Sequence, residues 1–254
     1  MRPDLTRLRD MIDAVSEPGR GPAATPEPAI REAEARVGPL PPSYRWWLAE
    51  YGRGRAGRAE IASVIPVDSA DDVYESITAG WRLDGTRLCF AVEPDCGDSY
   101  FFALDRDGGA GDGEHPVVCQ DGTDGGEYPV AESFAGFLTV QEALSRGLRE
   151  GPNPAIARLW RSTPGVLLDN GVLVYGPDLI GERNETFEVA RYAPHWVLIG
   201  DDSGGGGLFM RRHGRDRTRV HRLDLGAVDE HIEANGDLVT DDLLGWLRAG
   251  GPLR

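Results

Sequence analysis

Residues 30–52, IREAEARVGPLPPSYRWWLAEYG, decide the fold of the first half of the chain. Their apolar positions do not fit a single helix, because Gly38-Pro39 ends the helical spacing that begins at Ile30. A second helix can start at Pro41-Pro42, since first-turn amides lack intrahelical partners in any helix. One face of this second helix carries bulky side chains: Tyr44, Trp47, Leu48 and Tyr51. The stretch therefore predicts two short helices whose aromatic stripe is buried against a sheet.

The same stretch resembles the opening signature of the SUKH superfamily, which comprises bacterial immunity proteins and fungal cell-wall-assembly regulators of the Smi/Knr type. The residues that match the signature are Ile30, Glu34, Val37, Gly38, Leu40, Pro41, Tyr44, Trp47, Leu48 and Gly52. Two departures are mild: Trp47-Leu48 stands where the family usually has Phe-Leu, and Tyr51-Gly52 where it often has Asn-Gly. A second family feature is a strand pair around a Gly-Asp turn, followed by an Ala-x-Ser-Phe-x-x-Phe-Leu helix. It matches residues 90–101 and 131–138.

The strands that would cover the aromatic stripe follow it along the chain. Residues 88–92 and 100–104 are apolar runs joined by EPDCGDS, which predicts a hairpin, and residues 117–119 add a third strand. Before them, residues 61–67 predict a strand and residues 69–77 a short helix. A closing helix carries an inward stripe of Phe134, Phe137, Leu138 and Leu144. Helices and antiparallel hairpins in this order predict an α+β fold.

The chain after residue 150 repeats this order. A Gly-Pro-Asn-Pro segment at residues 151–154 predicts a linker. The elements predicted beyond it are a strand at 172–175, a hairpin of residues 196–200 and 208–211, a strand at 219–223 and a helix at 241–248. We therefore expect a tandem duplication. It would comprise a SUKH-like domain at residues 1–150 and a degenerate copy at 154–254, each an antiparallel hairpin sheet covered by N-terminal and C-terminal helices.

Length and composition indicate a soluble, cytoplasmic protein. The 254 residues are enough for one large domain or two smaller ones with separate cores. No run approaches the ~20 apolar residues that a membrane helix needs, and the charged N-terminus lacks the apolar centre of a signal peptide. The three cysteines show no metal-binding spacing, which favours a reducing compartment.

The charge is strongly negative and unevenly distributed. The net charge is −15; residues 1–150 contain 27 acidic residues and 15 arginines, and residues 151–254 contain 15 and 12. Such a protein repels phosphates, so neither nucleic acid nor an anionic membrane is an expected partner. A basic protein partner is favoured instead.

Three patterns that suggest chemistry have simpler explanations. Ser203, in Asp202-Ser203-Gly204-Gly205, resembles a protease nucleophile loop, but the usual Gly-Asp-Ser order is broken and a glycine-rich turn explains it better. The acidic residues from Asp105 to Glu114 do not match a calcium loop, because the required glycine and bidentate glutamate are missing. The five histidines are dispersed along the chain. We expect no catalytic residue, metal or cofactor.

Acidic density is the feature that remains. Between Glu93 and Glu132 there are eleven carboxylates and one arginine, Arg106. The simple interpretation is a solubilising surface. The functional interpretation is an electronegative surface for a basic partner. On that interpretation the partner-binding residues are Asp95, Asp98, Asp105, Asp107, Asp112, Glu114, Asp121, Asp124 and Glu127.

The family resemblance implies a function that the residues alone do not. It implies a non-catalytic immunity protein that binds a cognate bacterial toxin domain and occludes its active site. A regulatory scaffold of the cell-wall-assembly type is the alternative. A hydrolase that uses Ser203 is a third possibility from a different class.

Overall fold

The computed structural model describes residues 3–15, 24–64, 83–84, 86–105, 113–149, 151–214 and 216–253. Within these ranges the chain has an α+β fold with two antiparallel sheets. The predicted helix at residues 69–77 and the last three residues of the predicted strand at 61–67 lie outside the described residues. The bounds of that strand are wrong, because β2 ends at Ile61 and residues 62–64 are not strand.

The bounds of the described elements are as follows. The helices are α1 (Leu5–Val15), α2 (Glu27–Val37), α3 (Pro42–Glu50), α4 (Phe134–Ser145), α5 (Pro154–Trp160), α6 (Pro177–Thr186), α7 (Val189–Tyr192), α8 (Ile232–Asn235) and α9 (Leu243–Arg248). The strands of the first sheet are β1 (Gly54–Ala56), β2 (Ala59–Ile61), β3 (Leu83–Asp84), β4 (Arg87–Glu93), β5 (Asp98–Ala103), β6 (Val117–Gln120) and β7 (Glu127–Ala131). Those of the second sheet are β8 (Val166–Leu167), β9 (Leu173–Val174), β10 (Trp196–Asp201), β11 (Gly206–Arg211), β12 (Val220–Asp224) and β13 (Asp237–Thr240).

The predicted corner between α2 and α3 is confirmed. Gly38 ends α2 with φ +89°, a conformation that favours glycine, and Pro42 opens α3. Tyr44 lies at the centre of the aromatic cluster, with ring centroids 5.3 Å from Phe102 and 5.0 Å from Phe134. Its hydroxyl donates to the Ala62 carbonyl at 2.8 Å, which satisfies the polar end of a fully buried ring.

The first sheet is a meander with strand order β1-β2-β4-β5-β6-β7, and β3 pairs with β4. The predicted hairpin is the β4–β5 pair, in which Glu93 lies opposite Asp98. A register shift between Cys89 and Ala91 marks a bulge in β4. From α4, Phe137 reaches this sheet and contacts Phe90 at a ring distance of 5.1 Å.

The second sheet has the order β13-β12-β11-β10-β9-β8. The predicted hairpin around DDSGGGG is confirmed, since Trp196 pairs with Arg211 and Asp201 with Gly207. Sequence reasoning missed several short elements, because their apolar residues are too few or too irregularly spaced to reveal a period. These elements include α6, α7, α8, β1, β7, β8 and β13.

Two sequence-based expectations need correction. Leu144 was expected to point inward, but its side chain is 51% exposed, because it lies on the outer side of the last turn of α4. The segment at 151–154 does not behave as a free linker. Asn153 is buried, and its side-chain oxygen accepts from the amides of Ala155 and Ile156 at 3.0 Å, which caps α5.

The described residues form two hydrophobic clusters, and α4 belongs to both. Phe134 and Phe137 lie in the first cluster, whereas Ala143 lies in the second. The division into domains at residues 150 and 154 stays a prediction. The duplication does too, although in both sheets a four-stranded meander is followed by a helix.

Polar contacts join the parts of the chain that hold the two clusters. The Ser133 hydroxyl donates to the Ser162 carbonyl at 2.9 Å, and the Glu132 amide donates to the Arg161 carbonyl at 2.8 Å. On another side, the Arg7 guanidinium of α1 lies 3.1 Å from the Asp178 carboxylate of α6, and both side chains are at most 10% exposed. Such a buried pair needs both partners, because either charge alone would be desolvated without compensation.

Candidate binding surface

The meander of the first sheet brings two acidic turns to one end. Asp95 lies in the β4–β5 turn and Asp98 begins β5 directly after it, and the β6–β7 turn contains Asp121 and Asp124. Ser99 of β5 lies opposite Gln120 of β6, so these turns are neighbours although more than twenty residues separate them along the chain. We call these four residues the acidic turn pair.

Backbone contacts fix the acidic turn pair as one unit. The Gly122 amide donates to an Asp98 carboxylate oxygen at 2.9 Å, which joins the two turns directly. A Cβ added at Gly122 would lie only 2.4 Å from the Cys96 carbonyl oxygen, so any side chain there would push the turns apart. The close approach therefore requires glycine at this position.

Several of these carboxylates also build their own turns. Asp121 accepts from the amides of Thr123 and Asp124 at 2.7 and 3.2 Å, and Asp124 accepts from Gly126 at 2.7 Å. The backbone hydrogen bonds lower the pKa of Asp121, because they stabilise its charged form. Hydrogen bonds from backbone amides to these carboxylates thus order the turns, and Asp95 and Asp124 are exposed at their tips.

The remaining predicted site residues do not join this end of the sheet. Asp105 follows β5 at the opposite end and is exposed. Asp107 and Asp112 lie outside the described residues. Glu127 begins β7 beside the acidic turn pair, but its carboxylate forms an ion pair with Arg87.

Glu114 is the clearest departure from the predicted surface. Its side chain is 3% exposed, and its carboxylate accepts from the Ser43 amide at 2.7 Å and from the Ser43 hydroxyl at 2.8 Å. The same hydroxyl accepts from the Ala135 amide at 3.2 Å. Burial raises the pKa of Glu114, and the Ser43 hydrogen bonds oppose that shift. Glu114 therefore holds α3 and α4 together and does not lie on the binding surface.

One group at the acidic end has the composition of a cation site. The ligand atoms of Glu93, Cys96 and Asp98 lie within 4.8 Å of one another. A thiolate and two carboxylates suit a metal of intermediate softness. Glu93 is already engaged, however, since it lies 3.7 Å from Arg58 and accepts from the Tyr100 hydroxyl at 3.4 Å.

The structure gives Ser203 a role in the turn. Its φ is +56°, and its hydroxyl donates to the Gly171 carbonyl at 2.7 Å. The preceding Asp202 accepts from the amides of Gly204 and Gly206 and from Arg222. These contacts order the β10–β11 turn.

Sequence reasoning identified the acidic residues but not their grouping. In an antiparallel meander, alternate connections lie at the same end of the sheet, so the turns at residues 94–97 and 121–126 had to meet, and Asp105 had to lie elsewhere. That rule was available from the predicted strands. The burial of Glu114 had no comparable signal, because it depends on a contact with Ser43 some seventy positions earlier.

Comparison with known proteins gives one assignment. No curated protein matches the chain. None of the helices in the described ranges is both long and apolar enough to cross a membrane. Residues 24–140 match the SMI1 / KNR4 family (SUKH-1), and this span contains the α2–α3 corner, the first sheet and the start of α4. The first half of the chain is therefore similar to the SMI1 / KNR4 family.

Proposed function

We propose that this protein is a non-catalytic immunity protein of the cytoplasm that binds a basic toxin domain and occludes its active site. The family assignment supports an immunity or regulatory protein. The observation that carries the proposal is the acidic turn pair, in which two acidic turns are joined at one end of the sheet. Loops on a rigid scaffold are where binding residues usually lie.

The chemistry of the acidic turn pair fits a basic protein cleft. Four carboxylates held close together on a sheet end offer a surface resembling the phosphates for which a nuclease cleft is built. Complementary charge raises the association rate and disfavours wrong partners. Exclusion of the substrate would be steric and electrostatic, with no reaction carried out by this chain.

The test uses a cognate toxin encoded at the same genetic locus and measures association kinetics across a salt series. The change is Asp95→Arg, at an exposed position in the β4–β5 turn. We expect slower association, because the variant reverses a charge that attracts the basic partner. The association rate should also depend less on salt, since fewer attractive charges remain for salt to screen, which it does beyond about 8–10 Å at physiological ionic strength. Unfolding curves should match those of the unchanged protein.

Asp105→Arg is the matched control, since it makes the same charge change at an exposed position at the opposite end of the sheet. Slower association of the Asp95 variant alone would support the acidic turn pair. An equal effect of both variants would indicate that the partner responds to the net charge of the whole protein. An effect of Asp105→Arg alone would indicate that the partner binds at the opposite end of the sheet. Unchanged association for both variants would show that these carboxylates only solubilise the surface and do not bind the partner.

A further inference from the structure

A concentration of arginines stands out in this acidic protein. A cavity of about 610 Å³ is lined by Arg158, Arg161, Arg212, His213 and Arg217, with Glu132 as its acidic residue. Its volume lies within the roughly 300–1,000 Å³ typical of small-molecule sites. We call this cavity the arginine pocket. Because Glu132 follows the last residue of β7, the arginine pocket lies toward the other end of that strand from the acidic turn pair.

The fold explains why the arginines converge. Arg158 and Arg161 are three positions apart at the end of α5, so they lie on one side of it, while Ile156, Leu159 and Trp160 are buried. Arg212 directly follows β11, and its amide donates to the His195 carbonyl at 2.9 Å. Its Nε donates to the Trp196 carbonyl at 2.9 Å. The guanidinium of Arg212 is thus held in place from the backbone.

Three of the four arginines of the pocket have no carboxylate partner among the described residues. Among the described residues, Arg158, Arg212 and Arg217 form no ion pair, whereas the neighbouring Arg211 lies 2.7 Å from Glu233 and Arg222 lies 2.6 Å from Asp202. Glu132 is engaged by the Ser162 hydroxyl at 2.6 Å. Burial lowers the pKa of Arg212, since its charged form is partly desolvated. A bound anion would stabilise that charged form.

We propose that the arginine pocket binds a small ligand that carries two or more phosphate or carboxylate groups. Guanidinium groups form paired, charge-assisted hydrogen bonds with both kinds of oxyanion. The net charge of −15 repels an approaching anion, so a ligand with one negative charge is disfavoured. A ligand whose negative charges are closely spaced can contact several arginines at once. This ligand site is additional to the proposed toxin contact and does not depend on it.

The test is calorimetric titration of the full chain with pyrophosphate and, separately, with citrate, in a low-chloride buffer without phosphate. We expect saturable binding at one site that weakens as sodium chloride is added. The variants Arg158→Gln and Arg217→Gln change exposed side chains, so both should fold normally. Each should weaken binding by roughly tenfold or more, as expected for loss of a charge-assisted hydrogen bond.

Arg248→Gln is the matched control, because Arg248 is exposed at the end of α9, does not line the pocket and carries the same charge. Its binding should equal that of the unchanged protein. Binding of pyrophosphate only, or of citrate only, would support the site and assign its ligand class. Absence of saturable binding for both ligands, or equal weakening in all three variants, would overturn the proposal.

Discussion

Two neighbouring tryptophans of α3 differ in burial. Trp47 is 4% exposed, and its ring lies 4.9 Å from Tyr51 and 6.0 Å from Phe134. Trp46 is only half-buried and lies beside Arg9, whose guanidinium carbon is 5.7 Å from the ring centroid. One step around a helix turns the side chain through about 100°, which separates core from surface.

This difference predicts unequal costs for two alanine substitutions. Trp47→Ala should lower the free energy of unfolding by about 3–5 kcal/mol, because it leaves a cavity among aromatic rings. Trp46→Ala should cost about 1 kcal/mol, since it removes mainly surface contacts. Chemical denaturation of both variants measures the difference. Equal midpoints would show that the buried face of α3 is wrongly assigned.

Helix α3 depends on a residue far along the chain for its N-terminal contacts. Its own flanking residue, Pro41, offers no side-chain cap. Glu114 supplies the acceptor for the Ser43 amide instead and also binds the hydroxyl that accepts from α4. The helix dipole and the free amides favour a charged carboxylate at this place, but burial outweighs them and raises the pKa of Glu114.

We expect Glu114→Ala to lower the free energy of unfolding by about 1–3 kcal/mol, because a buried donor loses its partner. Glu114→Gln should cost less, since the amide oxygen can still accept. The raised pKa of Glu114 means that the folded state holds the proton more tightly than the unfolded state. The stabilisation that Glu114 gains from this higher pKa is therefore complete below the pKa of the unfolded state, about 4.3. It is lost as the pH rises through the pKa of the folded state.

The pH dependence gives this prediction its control. The stability advantage of the unchanged protein over Glu114→Gln should shrink as the pH rises from about 4 toward neutrality, because the glutamine does not titrate. Unfolding curves at several pH values measure the two proteins side by side. An advantage that grew with pH would show that the hydrogen bonds to Ser43, and not burial, set the pKa.

The whole molecule is held together at α4, where the chain at Arg161 crosses the helix. A Cβ added at Gly136 would lie 1.8 Å from the Arg161 carbonyl oxygen, so the backbones touch and no side chain fits between them.

Both sheets also share a structural detail. A bulge interrupts β4 between Cys89 and Ala91, and another interrupts β10 between Leu198 and Gly200. The two bulges lie in corresponding strands of the two hairpins, and the duplication itself stays a prediction.

Gly136→Ala should therefore destabilise the protein by about 1–3 kcal/mol or more, because the crossing segment must move away from α4. Gly181→Ala is the matched control in α6, where an added Cβ meets nothing within 4 Å. It should raise the free energy of unfolding by about 0.5–1 kcal/mol, since alanine loses less conformational freedom in a helix. Chemical denaturation measures both. Unchanged stability of Gly136→Ala would contradict the close crossing.

The sequence alone determined the local elements of this protein. The α2–α3 corner, the buried faces of Tyr44 and Trp47 and both predicted hairpins follow from apolar spacing and turn residues. Such patterns act over a few neighbouring positions. The family resemblance rested on the same short-range pattern, and the match over residues 24–140 confirms it.

Only the tertiary structure decided how distant residues combine. It placed Glu114 beneath Ser43, joined Asp98 to the turn at Gly122 and gathered Arg158 and Arg212 around one cavity. Each of these pairs is separated by more than twenty positions, so no local period connects its members. Strand order and helix packing set such contacts, because they decide which ends of the elements meet and which charged groups lose their water.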